Sequence, residues 1–230
     1  MKNILFILAL FTVLTIQGAS QQPAKRTILA SSAGLSLPYA EFASESLTVN
    51  SGFASAGINT EASLMRYMGS FFGLTSAIGY SNIFLSEKDY ENEYDRVLYG
   101  THQVSAGNYQ ILSAMGGFIF KVPEFSNTDI LLMVNLGVAL SFHPGLSVTN
   151  SYLGLINSVK KDTDFAGISN AGIRINHWLT EQYGLSLSYS LNATRPSFDD
   201  KTSIEGHFNL PIRYQNINVG FIMKLGTSQK

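Results

Sequence analysis

Apolar side chains alternate with small and polar ones along this chain over unusually long segments. Between residues 130 and 142, Ile130, Leu132, Val134, Leu136, Val138, Leu140 and Phe142 hold the even positions, while Asn135, Gly137, Ala139 and Ser141 stand among the odd ones. Side chains at i and i+2 share one face of a strand, so this segment has a wholly apolar face and a largely small, polar one. It is too long for an ordinary globular strand, whereas a strand crossing a bilayer obliquely needs about 9–11 residues. In a membrane-spanning barrel the apolar face meets lipid and the polar face lines the lumen.

The same alternation recurs, and it predicts strands at 28–37, 52–66, 71–84, 104–121, 129–143, 164–178, 183–194 and 212–226. In the third strand Phe72, Leu74, Ile78 and Tyr80 oppose Gly73, Thr75, Ala77, Gly79 and Ser81. In the seventh, Tyr183, Leu185, Leu187, Tyr189 and Leu191 oppose Gly184, Ser186, Ser188, Ser190 and Asn192. In the eighth, Ile217, Val219, Phe221, Met223 and Leu225 face outward and Asn216, Asn218, Gly220 and Lys224 inward, with Ile222 breaking the pattern. The first two strands rest mainly on small residues, and a ten-stranded alternative needs extra strands in the loops. Connections at 67–70, 122–128 and 179–182 are short, and those at 38–51, 85–103, 144–163 and 195–211 are long. Short periplasmic turns and long extracellular loops are the arrangement of outer-membrane barrels. Aromatic residues gather at both strand ends, with Tyr67, Phe71, Phe72, Phe118, Phe120, Trp178 and Tyr183 near the short turns and Tyr80, Phe84, Phe142, Tyr189 and Tyr214 nearer the long loops, as two interfacial girdles require.

The first residues fit that address. Lys2, an apolar core from Ile4 to Ile16 and the small residues Gly18-Ala19-Ser20 read as a secretory signal peptide cut before Gln21. The chain then divides into a leader at 1–20, a periplasmic segment at 21–27, an all-β antiparallel barrel at 28–226 and a tail at 227–230. The absence of cysteine removes disulfides, thiol catalysis and Cys-ligated metals. A net charge of −1 without a Lys/Arg cluster argues against nucleic acid as a partner. With 13% charged residues, a Ser/Gly/Asn face makes a poor soluble exterior, which argues against an inverted, lipocalin-like carrier.

The last strand, Asn218-Val219-Gly220-Phe221-Ile222-Met223-Lys224-Leu225, is similar to the insertion signal of outer-membrane barrels. Asn218 and Gly220 supply its polar and glycine positions, and Met223 and Leu225 its alternating apolar ones. The usual terminal aromatic is missing, and Gly226 to Lys230 follow. On this pattern the chain resembles the small, eight-stranded outer-membrane β-barrel proteins of Gram-negative bacteria, including the OmpA-type barrel and the small barrels of Bacteroidota. The resemblance implies residence in outer-membrane lipid, insertion by the barrel assembly machinery and long loops open to an extracellular ligand or partner.

Parity places Glu61, Arg174 and Lys224 in the lumen, which in an eight-stranded barrel is just wide enough to be filled by side chains. Buried charges must pair, so Arg174 with Glu61 is the expected structural pair, a narrow ion path being the alternative. Ser169-Asn170 resembles part of the His-x-Ser-Asn motif of barrel-type lipid A deacylases, but Gly167 stands where the histidine would be and His177 lies eight residues further on. His102, His143 and His207 fall near the long-loop end without a recognised ligand spacing. The segment 87–96 and Asp199-Asp200-Lys201 read as solvated loops, the first with tyrosines suited to recognition. No catalytic residue, cofactor or metal site is assigned. The expected function is structural or surface-interaction, with a narrow small-molecule conduit as the alternative and a lipid A-modifying enzyme behind it.

Overall fold

The computed structural model describes residues 27–48, 51–69, 71–125, 127–199 and 207–226. The expected leader, the tail at 227–230 and the Asp200-Lys201 pair lie outside the described residues. In chain order the strands are β1 (Thr27–Pro38), β2 (Ala54–Tyr67), β3 (Phe72–Leu85), β4 (His102–Ala106), β5 (Tyr109–Phe125), β6 (Thr128–His143), β7 (Leu146–Asn150), β8 (Gly154–Val159), β9 (Asp162–Trp178), β10 (Tyr183–Thr194), β11 (Ser197–Asp199), β12 (His207–Asn209) and β13 (Ile212–Leu225). A 3₁₀ turn, Ala40–Ala43, follows β1, and one helix, α1 (Glu87–Val97), follows β3.

Eight of these strands, β1, β2, β3, β5, β6, β9, β10 and β13, form a closed barrel in which every neighbouring pair is antiparallel. Stepping between paired residues once around it, from Leu131 through Arg174, Ser188, Asn218, Gly34, Asn59, Ser81 and Ile111, returns to the starting strand at Ser141, ten residues on. A stagger of ten residues at about 3.3 Å, over eight strands about 4.8 Å apart, tilts the strands by about 40°. That tilt is the one at which a strand of about 9–11 residues spans hydrocarbon. No helix among the described residues is long and apolar enough to cross a membrane.

The faces are sorted as in lipid and opposite to a soluble barrel. Phe221 is 74% and Leu136 67% exposed on the outside, while Arg174 is 1% exposed inside. Two inward glycines make room for inward asparagines on the next strand. A Cβ on Gly34 would sit 1.9 Å from the Ile217 carbonyl oxygen and 2.5 Å from Asn218 Oδ1, and one on Gly117 would sit 2.0 Å from the Val134 carbonyl and 2.5 Å from Asn135 Oδ1.

The structure corrects the reading of the loops. The predicted strand at 104–121 is two strands: β4 belongs to a separate three-stranded sheet with β7 and β8, and the barrel strand starts at Tyr109. The segment 87–96 is not a loop but α1, whose packed face is carried by the half-buried Tyr90 and Tyr94 and which has no fully buried aliphatic residue for periodicity to detect. Its start is set by Ser86, whose hydroxyl accepts from the Asp89 N–H, and its ends carry Glu87 and Asp89 first and Arg96 last, matching the helix dipole. Three of the expected girdle aromatics, Tyr67, Trp178 and Tyr214, turn inward and are buried. Phe72 does stack with Phe118 at a ring separation of 5.5 Å and meets Phe120 tilted at 5.6 Å near the short-turn end.

These contacts predict a contrast between two glycines. Gly117→Leu should abolish the compact, heat-shiftable band of the folded barrel on a denaturing gel. Gly167→Leu, where a Cβ meets nothing within 4 Å, should keep it.

Candidate functional site

The lumen is layered along its axis. At the short-turn end Lys121 Nζ lies 2.9 Å from Asp129 Oδ1, and Trp178 Nε1 donates to Asp129 Oδ2 at 2.8 Å. Lys224, one of the expected lumen charges, is half-buried with its ammonium 4.0 Å above the Trp178 ring. Lys121, Asp129, Trp178 and Lys224 therefore join four strands across the barrel mouth. Immediately above them Ile28, Met65, Ile119, Leu131 and Ile222 form a buried apolar plug, and Ile222 breaks the alternation of its strand because it belongs to this plug.

The waist is polar. Arg174 Nη2 donates to Glu61 Oε1 at 2.6 Å and Nη1 to Ser63 Oγ at 2.8 Å, so the two residues that parity put in the lumen meet there. Three asparagines on neighbouring strands, in one register row, chain their amides: Asn135 donates to Asn170 at 2.9 Å and Asn170 to Asn192 at 2.8 Å. Ser36 donates to Asn216 Oδ1 at 2.7 Å. Both amide atoms of Asn59, Arg174 Nε and the Ser32 hydroxyl are buried without a partner among the described residues, the kind of group that internal water satisfies.

Above the waist the lumen turns apolar again. Phe42, from the 3₁₀ turn after β1, is folded into a cluster with Ile83, Tyr109, Ile111, Ile168 and Ile212. Its ring meets Tyr109 edge-on at 5.0 Å, and the Tyr109 hydroxyl donates to the Gly52 carbonyl at 3.0 Å. His143 packs among the rings of Tyr109, Phe198 and Phe208 at 5.5, 5.1 and 5.6 Å. Sequence reasoning expected a polar lumen throughout and missed both plugs. Their signal is present in runs such as Ile130-Leu131-Leu132-Met133, where apolar residues occupy both faces.

At the long-loop end α1 lies along the free edge of β4. Four helical residues advance about 6.0 Å and two strand residues about 6.8 Å, so carboxylates every fourth residue on α1 keep pace with every second N–H on β4. Glu87 accepts from the Ala106 N–H at 2.7 Å, Glu91 from Val104 at 2.8 Å and Asp95 from His102 at 2.8 Å. Asp95 Oδ1 also takes His102 Nδ1 at 2.7 Å, while His102 Nε2 faces the Asn150 amide nitrogen at 2.8 Å. That pairing makes Nδ1 the protonated nitrogen of the ring. The His102 hydrogen bond holds the Asp95 carboxyl below the usual range. Tyr90 and Tyr94 stack at 5.4 Å and pack on Val104, Leu146 and Val148, and burial pushes the Tyr90 phenol up.

Buried Asn150 organises the tip. Its Nδ2 also donates to the Tyr99 carbonyl at 2.9 Å, and its Oδ1 accepts the N–H groups of Tyr152 and Leu153 at 2.8 and 3.1 Å. The result is an ordered apolar patch: Tyr99 is 88% and Leu153 78% exposed, and Tyr99 stacks on Tyr152 at 5.7 Å.

The remaining expected residues do not assemble. Ser169 Oγ reaches the Ala193 carbonyl at 3.5 Å, whereas His177 Nδ1 sits by Thr128 Oγ1 at 3.1 Å near the other end of the same strand. His102 and His143 are engaged as described, and His207 is exposed on β12. Among the described residues no three His, Asp or Glu side chains converge as a metal cluster would. Asn218 and Gly220 face inward and Met223 and Leu225 lie on the opposite parity, in the strand that pairs with β1 to close the barrel.

No protein-family model and no curated protein sequence matches the chain. Among solved structures it is similar to a major outer membrane protein from Thermus thermophilus, with a TM-score of 0.50 at 10% identity over 88% of this chain and 100% of that one. The attachment invasion locus protein Ail of Yersinia pestis follows at 0.49, also at 10% identity, over 88% and 100%. The outer membrane protein AlkL gives 0.45 at 9% identity over 92% and 98%. The likeness is one of fold: the chain has the closed eight-stranded architecture of small outer-membrane barrels.

Two outcomes follow from the waist and the tip. Glu61→Gln leaves Arg174 buried without its counter-charge and should destabilise the barrel by about 3–5 kcal/mol. Adding Arg174→Met should recover most of that loss, both read from urea unfolding in vesicles. Because the Asp95 carboxyl is held below its ordinary 3.8, its contribution is complete above that pH and lost as the pH falls through the lower folded value. The protection factor of the His102 amide, its exchange rate relative to an unstructured amide at the same pH, should therefore fall below that point, and at neutral pH in Asp95→Ala.

Proposed function

We propose that the protein is an integral outer-membrane barrel with a filled lumen that displays α1, β4, β7 and β8 outside the cell as an interaction surface. The observation that carries this reading is the tip patch of Tyr99, Tyr152, Leu153 and Leu155, exposed yet fixed by buried Asn150. Exposed apolar side chains on a monomer mark interaction sites, and aromatic groups held in place lose little entropy on binding. The apolar face turned outward and the fold likeness support the location. The two apolar plugs speak against a general pore, and the separation of Ser169 from His177 speaks against a deacylase.

The conduit remains the second reading, favoured by the polar waist, where among the described residues the Asn59 amide and the Nε of Arg174 have no protein partner. Planar-bilayer recording separates the two. The scaffold reading predicts no stepwise conductance from the wild type, and binding of intact producing cells to extracellular protein or glycan surfaces that falls at least tenfold in Tyr99→Ser with Tyr152→Ser. Conductance steps altered by Glu61→Gln, with cell binding unchanged in the double tyrosine variant, would replace it with the conduit.

A further inference from the structure

On the outer, lipid-facing wall, below the long-loop end, a trough of about 480 Å³ runs over β6, β9, β10 and β13. Leu136, Ser169, Ala193 and Arg213 lie in it along one hydrogen-bonded register row, each paired with the next. Gly167 stands one outward position above Ser169 on β9, with open space where a Cβ would be, and Arg195 lies beside it at the end of β10. The strand tilt makes the row climb, so the trough has an exposed leucine at its foot, a floor of Gly, Ser and Ala, and two arginines at its rim.

The rim charge is not used up within the protein. Arg213 Nη1 pairs with Glu41 Oε2 at 3.1 Å, both being about half exposed, whereas Arg195 makes no ion pair among the described residues. Two guanidinium groups on the lipid side of a barrel are costly beside hydrocarbon, and they suit the headgroup level, where basic pockets hold anionic lipid. The guanidinium fork matches phosphate oxygens two at a time.

We propose that this trough binds a phosphorylated lipid of the outer leaflet, its phosphate held by Arg195 and Arg213 and one acyl chain lying over Ala193, Ser169 and Gly167 toward Leu136. The assignment rests on the outer-membrane reading above. Glu41 competes with the phosphate for Arg213, so its removal strengthens the site.

Native mass spectrometry of the folded barrel in a non-ionic detergent tests it, with phosphatidic acid and the diacylglycerol of identical chains as probes. Phosphatidic acid should be retained and the diacylglycerol lost. Arg195→Gln with Arg213→Gln should weaken retention about tenfold or more, Gly167→Leu should weaken it by filling the chain path, and Glu41→Gln should raise it. Millimolar inorganic phosphate should not displace the lipid. Equal retention of both probes, unchanged retention in the arginine variant, or displacement by phosphate alone would overturn the site. Heat-dependent gel mobility on the same samples keeps the two claims apart. A sample that shifts on boiling but shows no phosphate preference refutes the lipid site alone, and one that never shifts refutes the membrane barrel.

Discussion

Closure of β1 on β13 is the constraint on which everything else depends. The twelve-residue pairing of Thr27–Pro38 with Tyr214–Leu225 satisfies the last two sheet edges, and in hydrocarbon an unsatisfied edge is not tolerated. Closing eight strands with a ten-residue stagger fixes both tilt and lumen width. The lumen is then narrow enough that its inward side chains must fit one another: glycines stand opposite asparagines, Arg174 crosses to Glu61 and Ser63, and isoleucines and aromatics fill the two ends.

The same need to satisfy backbone groups governs the long-loop end by other means. Small sheets outside the barrel have edges, and here carboxylates cover one edge of each, that of β4 and that of β11. Glu87, Glu91 and Asp95 take the edge N–H groups of β4, and Asp164 and Asp162 take those of Ser197 and Asp199 at 2.6 and 2.7 Å. An uncovered edge is a template for further strand pairing, so the acidic character of this region is a structural device. It leaves the Tyr99–Tyr152 patch as an exposed, ordered apolar feature among the described residues of that end, which is why the functional reading centres there.

Strand positions and faces were legible because lipid on one side and a filled lumen on the other force a period of two, and parity alone brought Glu61 and Arg174 to one interior. The plugs were not legible as plugs, since Leu131 and Ile222 read as lapses in alternation until the register shows that they share a level. The helix escaped because it meets its sheet through carboxylates on backbone N–H groups and through two tyrosines, Tyr90 and Tyr94, with no buried aliphatic residue in EKDYENEYDRV to mark a helical period. The Lys121–Asp129–Trp178–Lys224 cluster escaped for a further reason: its members come from four strands, and only the stagger says which positions share a height.

The central claim is a membrane barrel whose wall faces lipid and whose interior is sealed. Because the chain has no cysteine, single cysteines can be placed in turn at 216–219, 221 and 222 on β13, omitting Gly220, where a Cβ would meet the Ser31 carbonyl oxygen at 2.3 Å, and treated, in intact membranes, with a water-soluble and a lipid-soluble maleimide. The account predicts that positions 217, 219 and 221 react with the lipid-soluble reagent alone and that 216, 218 and 222 react with neither. Water-soluble labelling of the even positions would mean an open lumen, and of the odd positions a soluble barrel; either result would contradict it.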